Sequence, residues 1–238
     1  MRATSRLLAI GAVTTAVLLG SASTAMADSG TVNDKRYDVL VGNFDDSSTF
    51  LASEGTYHQR LVASYVDAKS LTVNHGKDFV SVRINMNKLG EGTFSSTLIK
   101  INGGTADDYQ LIAASDGEGG LYAATVPAGV VTPSSAVAPA AGDTECSTES
   151  TTGKITGSTK TGSNGYLQVY IPRACLDLPK YLRAGGTTQY YDLPVNINSV
   201  KSLQKVATAA EADGNTYSDP INSKYFGAPQ YTSWLARN

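Results

Sequence analysis

The stretch from Lys69 to Met86, KSLTVNHGKDFVSVRINM, constrains the fold more than any other part of the chain. Apolar residues fall on alternate positions on both sides of a short polar interruption, and a period of two belongs to a strand with one buried face. Leu71 and Val73 mark the outgoing strand, and His75-Gly76-Lys77-Asp78 makes the turn. Phe79 or Val80, then Val82, Ile84 and Met86, point to one face of the return strand. A hairpin with a single apolar face has to bury it against a second layer.

The same alternation recurs downstream. STLIKINGGTADDYQLIAASDGEGGLYAATV predicts three short strands near Thr97–Ile101, Tyr109–Ala113 and Leu121–Val126. Asn102-Gly103-Gly104 and the run from Asp116 to Gly120 separate them as turns. VPAGVVTPSSAVAPAAGDTE, from Val126 to Glu145, is rich in Pro, Ala and Ser and predicts a loop. GKITGSTKTGSNGYLQVYI predicts another hairpin, turning at Asn164-Gly165, and a further strand covers Tyr181–Ala184. Helical periodicity near 3.6 is hard to find; SLQKVATAAEADG is the candidate for one short helix. Many short strands with frequent turn signals predict an all-β fold, an antiparallel β-sandwich, with a jelly roll or a small barrel as the alternative.

The first 27 residues do not belong to that sandwich. Arg2 and Arg6 form a positive n-region, Leu7–Leu19 is mostly apolar, and Ala25-Met26-Ala27 supplies a small-x-small cleavage pattern. These are the parts of a secretory signal peptide over 1–27. The apolar run is too short for the roughly 20 residues that span a bilayer. The expectation is therefore a secreted, extracellular protein of one domain, 28–238, with no membrane span after cleavage. Within it, 200–238 reads as a loosely packed tail whose aromatics must bury somewhere or stay exposed. The formal net charge is −2, and the 19 basic residues form no cluster. That balance argues against nucleic acid as a partner and gives no support for binding an anionic membrane.

Two cysteines, Cys146 and Cys175, both lie beyond the signal segment. In an exported chain an even count favours a disulfide, and closing that loop stabilises by roughly 3–4 kcal/mol in the chain-entropy model. The other roles are weaker. A catalytic cysteine wants a nearby base, and His58 and His75 are the two histidines available. A zinc site wants four ligands at short spacing, and none is visible. In the corner Pro172-Arg173-Ala174-Cys175, Pro172 lacks an N–H and predicts the end of its strand. Leu176 and Leu178 are then expected to bury beside the bridge, and Arg173 to be solvated or in a surface ion pair.

Chemical signatures are sparse. The sequence contains no G-x-S-x-G, H-E-x-x-H, P-loop or G-x-G-x-x-G. His75 is expected at the tip of a turn with its ring exposed, and His58 precedes the first confident strand. The adjacent pairs Asp45-Asp46 and Asp107-Asp108 read as solvated loop edges, because neighbours on a strand face opposite ways. The run from Asp213 to Asp219 and the DDSS run starting at Asp45 offer oxygens suited to calcium, without the EF-hand pattern. Thirteen tyrosines stand against five phenylalanines and one tryptophan. Tyr170, Tyr181, Tyr190, Tyr191, Tyr225, Phe226, Tyr231 and Trp234 are either core or an exposed aromatic surface for sugar or protein.

Two segments carry a resemblance. VNHGKDFVSVRINMNKL, from Val73 to Leu89, followed by LQVYIPRACLDLPKYLRA, from Leu167 to Ala184, resembles a group of small, uncharacterised secreted β-rich proteins of actinobacteria. The shared elements are His75-Gly76, the alternation Val80-Val82-Ile84, and the set Pro172, Arg173, Cys175, Leu176, Pro179, Leu182 and Arg183, with Cys146 upstream. The resemblance covers about residues 60–185 and implies a β-rich fold and a Cys146–Cys175 disulfide, with no function attached. The residues together point to a secreted, non-catalytic β-sandwich with a binding or structural role at or outside the cell envelope, its partner an envelope protein or polysaccharide. A carbohydrate-binding module using exposed aromatics, or an exported hydrolase, are the alternatives. No catalytic residue, cofactor or metal ligand is assigned from the sequence.

Overall fold

The computed structural model describes residues 28–43, 49–54, 57–90, 92–115, 119–128, 146–191, 215–222 and 228–237. Residues 1–27, where a signal peptide is expected, the Asp45-Asp46 pair, most of the Val126–Glu145 loop, the helix candidate ahead of Asn215, Asp213, Tyr225 and Phe226 lie outside these residues, as do the side chains of His58 and Tyr191.

The structure is an all-β sandwich, as the alternation predicts, and it is not a closed barrel. One layer has five strands in the order β1 (Ser29–Asn33), β4 (Ala68–His75), β5 (Phe79–Met86), β14 (Tyr166–Pro172) and β12 (Thr156–Lys160), all antiparallel. The other runs β11 (Gly153–Lys154), β10 (Cys146–Ser147), β9 (Leu121–Pro127), β8 (Tyr109–Ser115), β7 (Phe94–Ile101), β15 (Tyr181–Tyr191), β16 (Asn215–Pro220), β2 (Leu40–Asn43) and β3 (Thr49–Leu51). The short β17 (Leu235–Ala236) pairs with the first residues of β15. A two-stranded ribbon joins β6 (Lys88–Leu89) to β13 (Gly162–Ser163).

The predicted hairpin is β4–β5, with His75 paired to Val80 and Gly76–Asp78 as its turn. Leu71, Val73, Val80, Val82, Ile84, Leu167, Val169 and Ile171 face inward from the five-stranded layer and meet Ile99, Leu111, Ala113, Ala123, Leu182 and Ala184 of the larger one. Each aliphatic side chain so buried contributes about 1.5–3 kcal/mol. A smaller core, Val39, Val41, Val62, Ala63, Val66 and Tyr217, fills the space beneath the helix α1 (Tyr57–Ala63).

The predicted strand over Tyr181–Ala184 continues to Tyr191. Gly185 and Gly186 look like breakers, yet here they let other segments lie close to the strand. A Cβ on Gly185 would stand 3.2 Å from the Gln230 carbonyl, and one on Gly186 would stand 3.2 Å from Ile221. The crossing segments belong to the expected loose tail, and where they are described they are not loose. β16 is hydrogen-bonded on both sides, to β15 and β2, and Tyr217, Ile221, Thr232 and Leu235 are buried.

Cys146 and Cys175 form a disulfide with a Cα–Cα separation of 5.8 Å. It joins β10 of the larger sheet to the short 3-10 turn Arg173–Leu176 that follows β14 of the smaller one. The staple therefore ties the two layers together, and β14 ends at Pro172 as the missing N–H requires.

Three details of this corner differ from expectation. Leu178 is 61% exposed, because Asp177 and Leu178 both take left-handed backbone angles and carry the chain outward. His75 is 0% exposed, since its position on β4 has the same inward parity as Leu71 and Val73. Arg173 is 5% exposed: its Nη1 donates to the Lys77 carbonyl at 3.2 Å and its Nη2 to the Pro179 carbonyl. The guanidinium thus spans the β4–β5 turn and the loop before β15, and it is structural rather than solvated.

Candidate functional site

Alternation leaves every second side chain of the five-stranded sheet facing away from the core. On β4 these are Ser70, Thr72 and Asn74; on β5 Phe79, Ser81, Arg83 and Asn85; on β14 Tyr166, Gln168 and Tyr170. The register sets Tyr170 beside Ser81, Gln168 beside Arg83 and Tyr166 beside Asn85. Hydrogen bonds cross the strands through these side chains. Thr31 and Thr72 hydroxyls lie 3.1 Å apart, Asn74 Nδ2 donates to Ser81 Oγ at 3.0 Å, and Asn85 Nδ2 donates to Ser70 Oγ at 3.0 Å. Arg83 donates through Nε to Asn85 Oδ1 at 2.9 Å, and its guanidinium carbon stands 3.8 Å from the Tyr166 ring centroid. The result is a polar surface whose side chains are held by their neighbours. Tyr170 and Phe79 stand on it 42% and 49% exposed.

A second polar cluster lies where the two sheets meet. Asp34 follows β1, Asp38 precedes β2, Asp67 precedes β4, and Asp219 lies in β16. One oxygen from each of Asp34, Asp38 and Asp219 comes within 4.8 Å of the other two. Asp219 is fully buried; its Oδ2 accepts the Ala68 N–H at 2.7 Å. Asp34 Oδ1 accepts from the Asn222 N–H. Among the described residues, nothing donates a hydrogen bond to the buried oxygens Asp34 Oδ2, Asp38 Oδ1 and Asp219 Oδ1. Asp67 is satisfied by the Tyr37 N–H at 3.1 Å and the Asn87 side-chain amide. Burial, reinforced by the charge of Asp34, pushes the Asp219 carboxyl up to about 9. Burial also pushes Asp34 up to about 6 and raises Asp38 and Asp67.

The other sequence candidates do not converge. His75 donates from Nδ1 to the Leu235 carbonyl at 3.2 Å, and burial, with the charge of Arg173 adding to it, holds its pKa below the ordinary value. Asp107 accepts from the Tyr231 hydroxyl and lies 4.0 Å from Lys100, while Asp108 Oδ2 accepts the Ile101 N–H at 2.8 Å. Both carboxylates are committed to the β7–β8 turn. The described aromatic candidates divide among four places. Tyr190 packs between Tyr65 and Tyr217, Tyr231 and Trp234 flank the Arg183 guanidinium, and Tyr170 stands on the outer sheet face. Tyr181 opens β15 at 41% exposure, apart from that face.

The β4–β5 alternation marks the core through its apolar positions. The outward positions of that same pattern were the available signal for the polar face. For the acidic cluster only Asp219 stood in a run singled out for oxygen ligands; Asp34, Asp38 and Asp67 carry no local signature. No protein-family model matches the chain, and no curated protein or solved structure is significantly similar to it. Among the described residues, no helix is long and apolar enough to cross a membrane.

Proposed function

We propose that this is an exported, non-catalytic β-sandwich protein that binds an extended polysaccharide at or outside the cell envelope. The observation that supports this reading is the outer face of the five-stranded sheet. Pyranose rings offer a flat C–H face and a rim of hydroxyls. Aromatic rings present flat, weakly negative faces to the first, and the Ser, Thr, Asn, Gln and Arg groups around Tyr166 and Tyr170 suit the second. The exposed rings, Tyr170 and Phe79, are diagonal neighbours across β14 and β5, since Tyr170 pairs with Ser81 and Phe79 with Pro172. The hydrogen-bonded side chains need little further ordering on binding, and ordering cost is a large part of what limits affinity. The leader-like composition of residues 1–27 and the Cys146–Cys175 bridge fit an oxidising compartment.

The test is co-sedimentation with insoluble cell-wall polysaccharides, comparing the full chain with a Tyr170→Ala/Phe79→Ala variant. Loss of at least about tenfold in affinity, the equivalent of 1.4 kcal/mol, is expected from removing two exposed anchors. Equal binding by the variant, or no binding by the parent chain to any polysaccharide tested, overturns the reading.

A further inference from the structure

The Asp34–Asp38–Asp219 cluster has a feature that a solvated acidic patch lacks. Three carboxylates converge, and among the described residues no donor group other than a carboxyl reaches one buried oxygen of each, while Asp34 and Asp219 stand close enough to hydrogen-bond to one another. One of the three, Asp219, is 0% exposed and carries its unpaired Oδ1 on a central strand of the larger sheet. A buried acceptor left unpaired is costly, and like charges gathered at one point add to that cost. Lys35 favours the charged form of Asp38 and Arg36 that of Asp67, whereas the charges that act on Asp219 are those of Asp34, Asp38 and Asp67. Among the described residues, no cation acts on Asp219.

We propose that Asp34, Asp38 and Asp219 bind a calcium ion, with the charge of Asp67 supporting the site from beside it. Oxygen is the only donor type present, and the absence of thiol or imidazole ligands favours a hard cation over zinc or copper. Two ligands of one calcium, each at 2.3–2.6 Å, can stand up to about 5 Å apart, so the 4.8 Å limit on these oxygens fits a shared ion. Asp34 and Asp38 are only partly buried, which leaves a side from which waters complete the six to eight ligands calcium takes. Magnesium demands a tighter and more regular octahedron, which two carboxylates from the β1–β2 connection and one from β16 do not supply. The ion joins the end of β1, the segment leading into β2, and β16, so it clamps the first strand of one sheet to the far half of the other. Its role is structural, and it is independent of the ligand assigned to the outer face.

The test is thermal unfolding of the purified full chain after chelation, with and without millimolar calcium, combined with calorimetric titration of the chelated protein. The expected result is binding in the micromolar to millimolar range and a rise in Tm of at least about 5 °C at hundredfold excess over Kd. Asp34→Asn and Asp219→Asn should each abolish most of that rise. In chelator, Asp219→Asn should be about as stable as the parent, because the amide is neutral, of the same shape, and keeps an acceptor for Ala68. Should Asp219→Asn fail to fold, Asp38→Asn on the more open side carries the same comparison. An unchanged Tm and no heat on calcium addition would mean that protons, not a cation, neutralise the cluster, and would overturn the proposal. A rise that survives intact in Asp34→Asn and Asp38→Asn, or an equal rise with magnesium, would overturn the assignment as well.

Discussion

The Nδ1 of His75 lies 3.2 Å from the carbonyl oxygen of Leu235, a residue 160 positions later in the chain. A carbonyl can only accept, so Nδ1 carries the proton. The bond fastens the β4–β5 hairpin to β17 at one point beneath the Arg173 guanidinium. Replacing His75 by Ala removes this bond from the Leu235 carbonyl, which β15 still pairs through the ladder, and opens a cavity. The expected cost is about 2–4 kcal/mol, read by chemical denaturation, against the few tenths that an exposed turn residue would show. A loss within the surface range would mean the ring is not buried in solution.

The same histidine makes stability depend on pH. Its folded pKa lies below the ordinary 6.5 because burial disfavours the charged ring, with Arg173 and Arg237 adding repulsion. The unfolded chain therefore binds the proton more readily, and protonation favours unfolding. This contribution is complete above pH 6.5 and is lost as the pH falls from 6.5 toward the folded pKa. Asp34 and Asp219 run the other way, since raised carboxyl pKa values make stability fall as pH rises. The measurement is accordingly a difference between the parent chain and His75→Gln at each pH. The parent's advantage should shrink below pH 6.5, and a difference that stays constant from pH 5 to 8 refutes the assignment.

Arg173 should tolerate neither truncation nor a change of shape. Its planar fork reaches two carbonyls, of Lys77 and Pro179, that a single ammonium cannot reach together. Arg173→Ala is expected to cost about 2–3 kcal/mol, the scale of hydrogen bonds to a charged group. Arg173→Lys should recover no more than about half of that, as measured by urea unfolding.

For the bridge, thiol labelling of the unfolded, unreduced protein should detect no free cysteine, since Cys146 and Cys175 are joined. Cys175→Ala should cost about 2–5 kcal/mol. Because the bridge joins the two sheets, the loss should appear as a lower midpoint of one cooperative transition. A separate early transition would show that the sheets unfold independently.

Much of the sandwich was legible along the chain, and the reason is local. Val80, Val82, Ile84 and Met86 alternate because a pleated strand turns every second side chain to the same side. Asn102 and Asn164 mark turns because they tolerate the positive φ of 51° found at each. Pro172 ends a strand because it has no N–H to give. The pairing of Cys146 with Cys175 follows from there being no other cysteine. Each of these is settled by a residue and its immediate neighbours.

Other features depend on segments far apart in sequence. Gly185 and Gly186 are indistinguishable from a turn until Gln230 and Ile221 are seen lying against them. His75 looks like a hairpin tip until β17 covers it, and Arg173 looks solvated until two loops close around its guanidinium. Asp34, Asp38 and Asp219 are ordinary acidic residues until the meeting of the two sheets brings their oxygens within 4.8 Å of one another. Backbone sterics and period-two burial act over a few residues and are therefore written in the sequence. The burial of a charge, the orphaning of an acceptor and the convergence of ligands depend on what the rest of the chain sets beside them, and only the packing of one sheet on the other decides that.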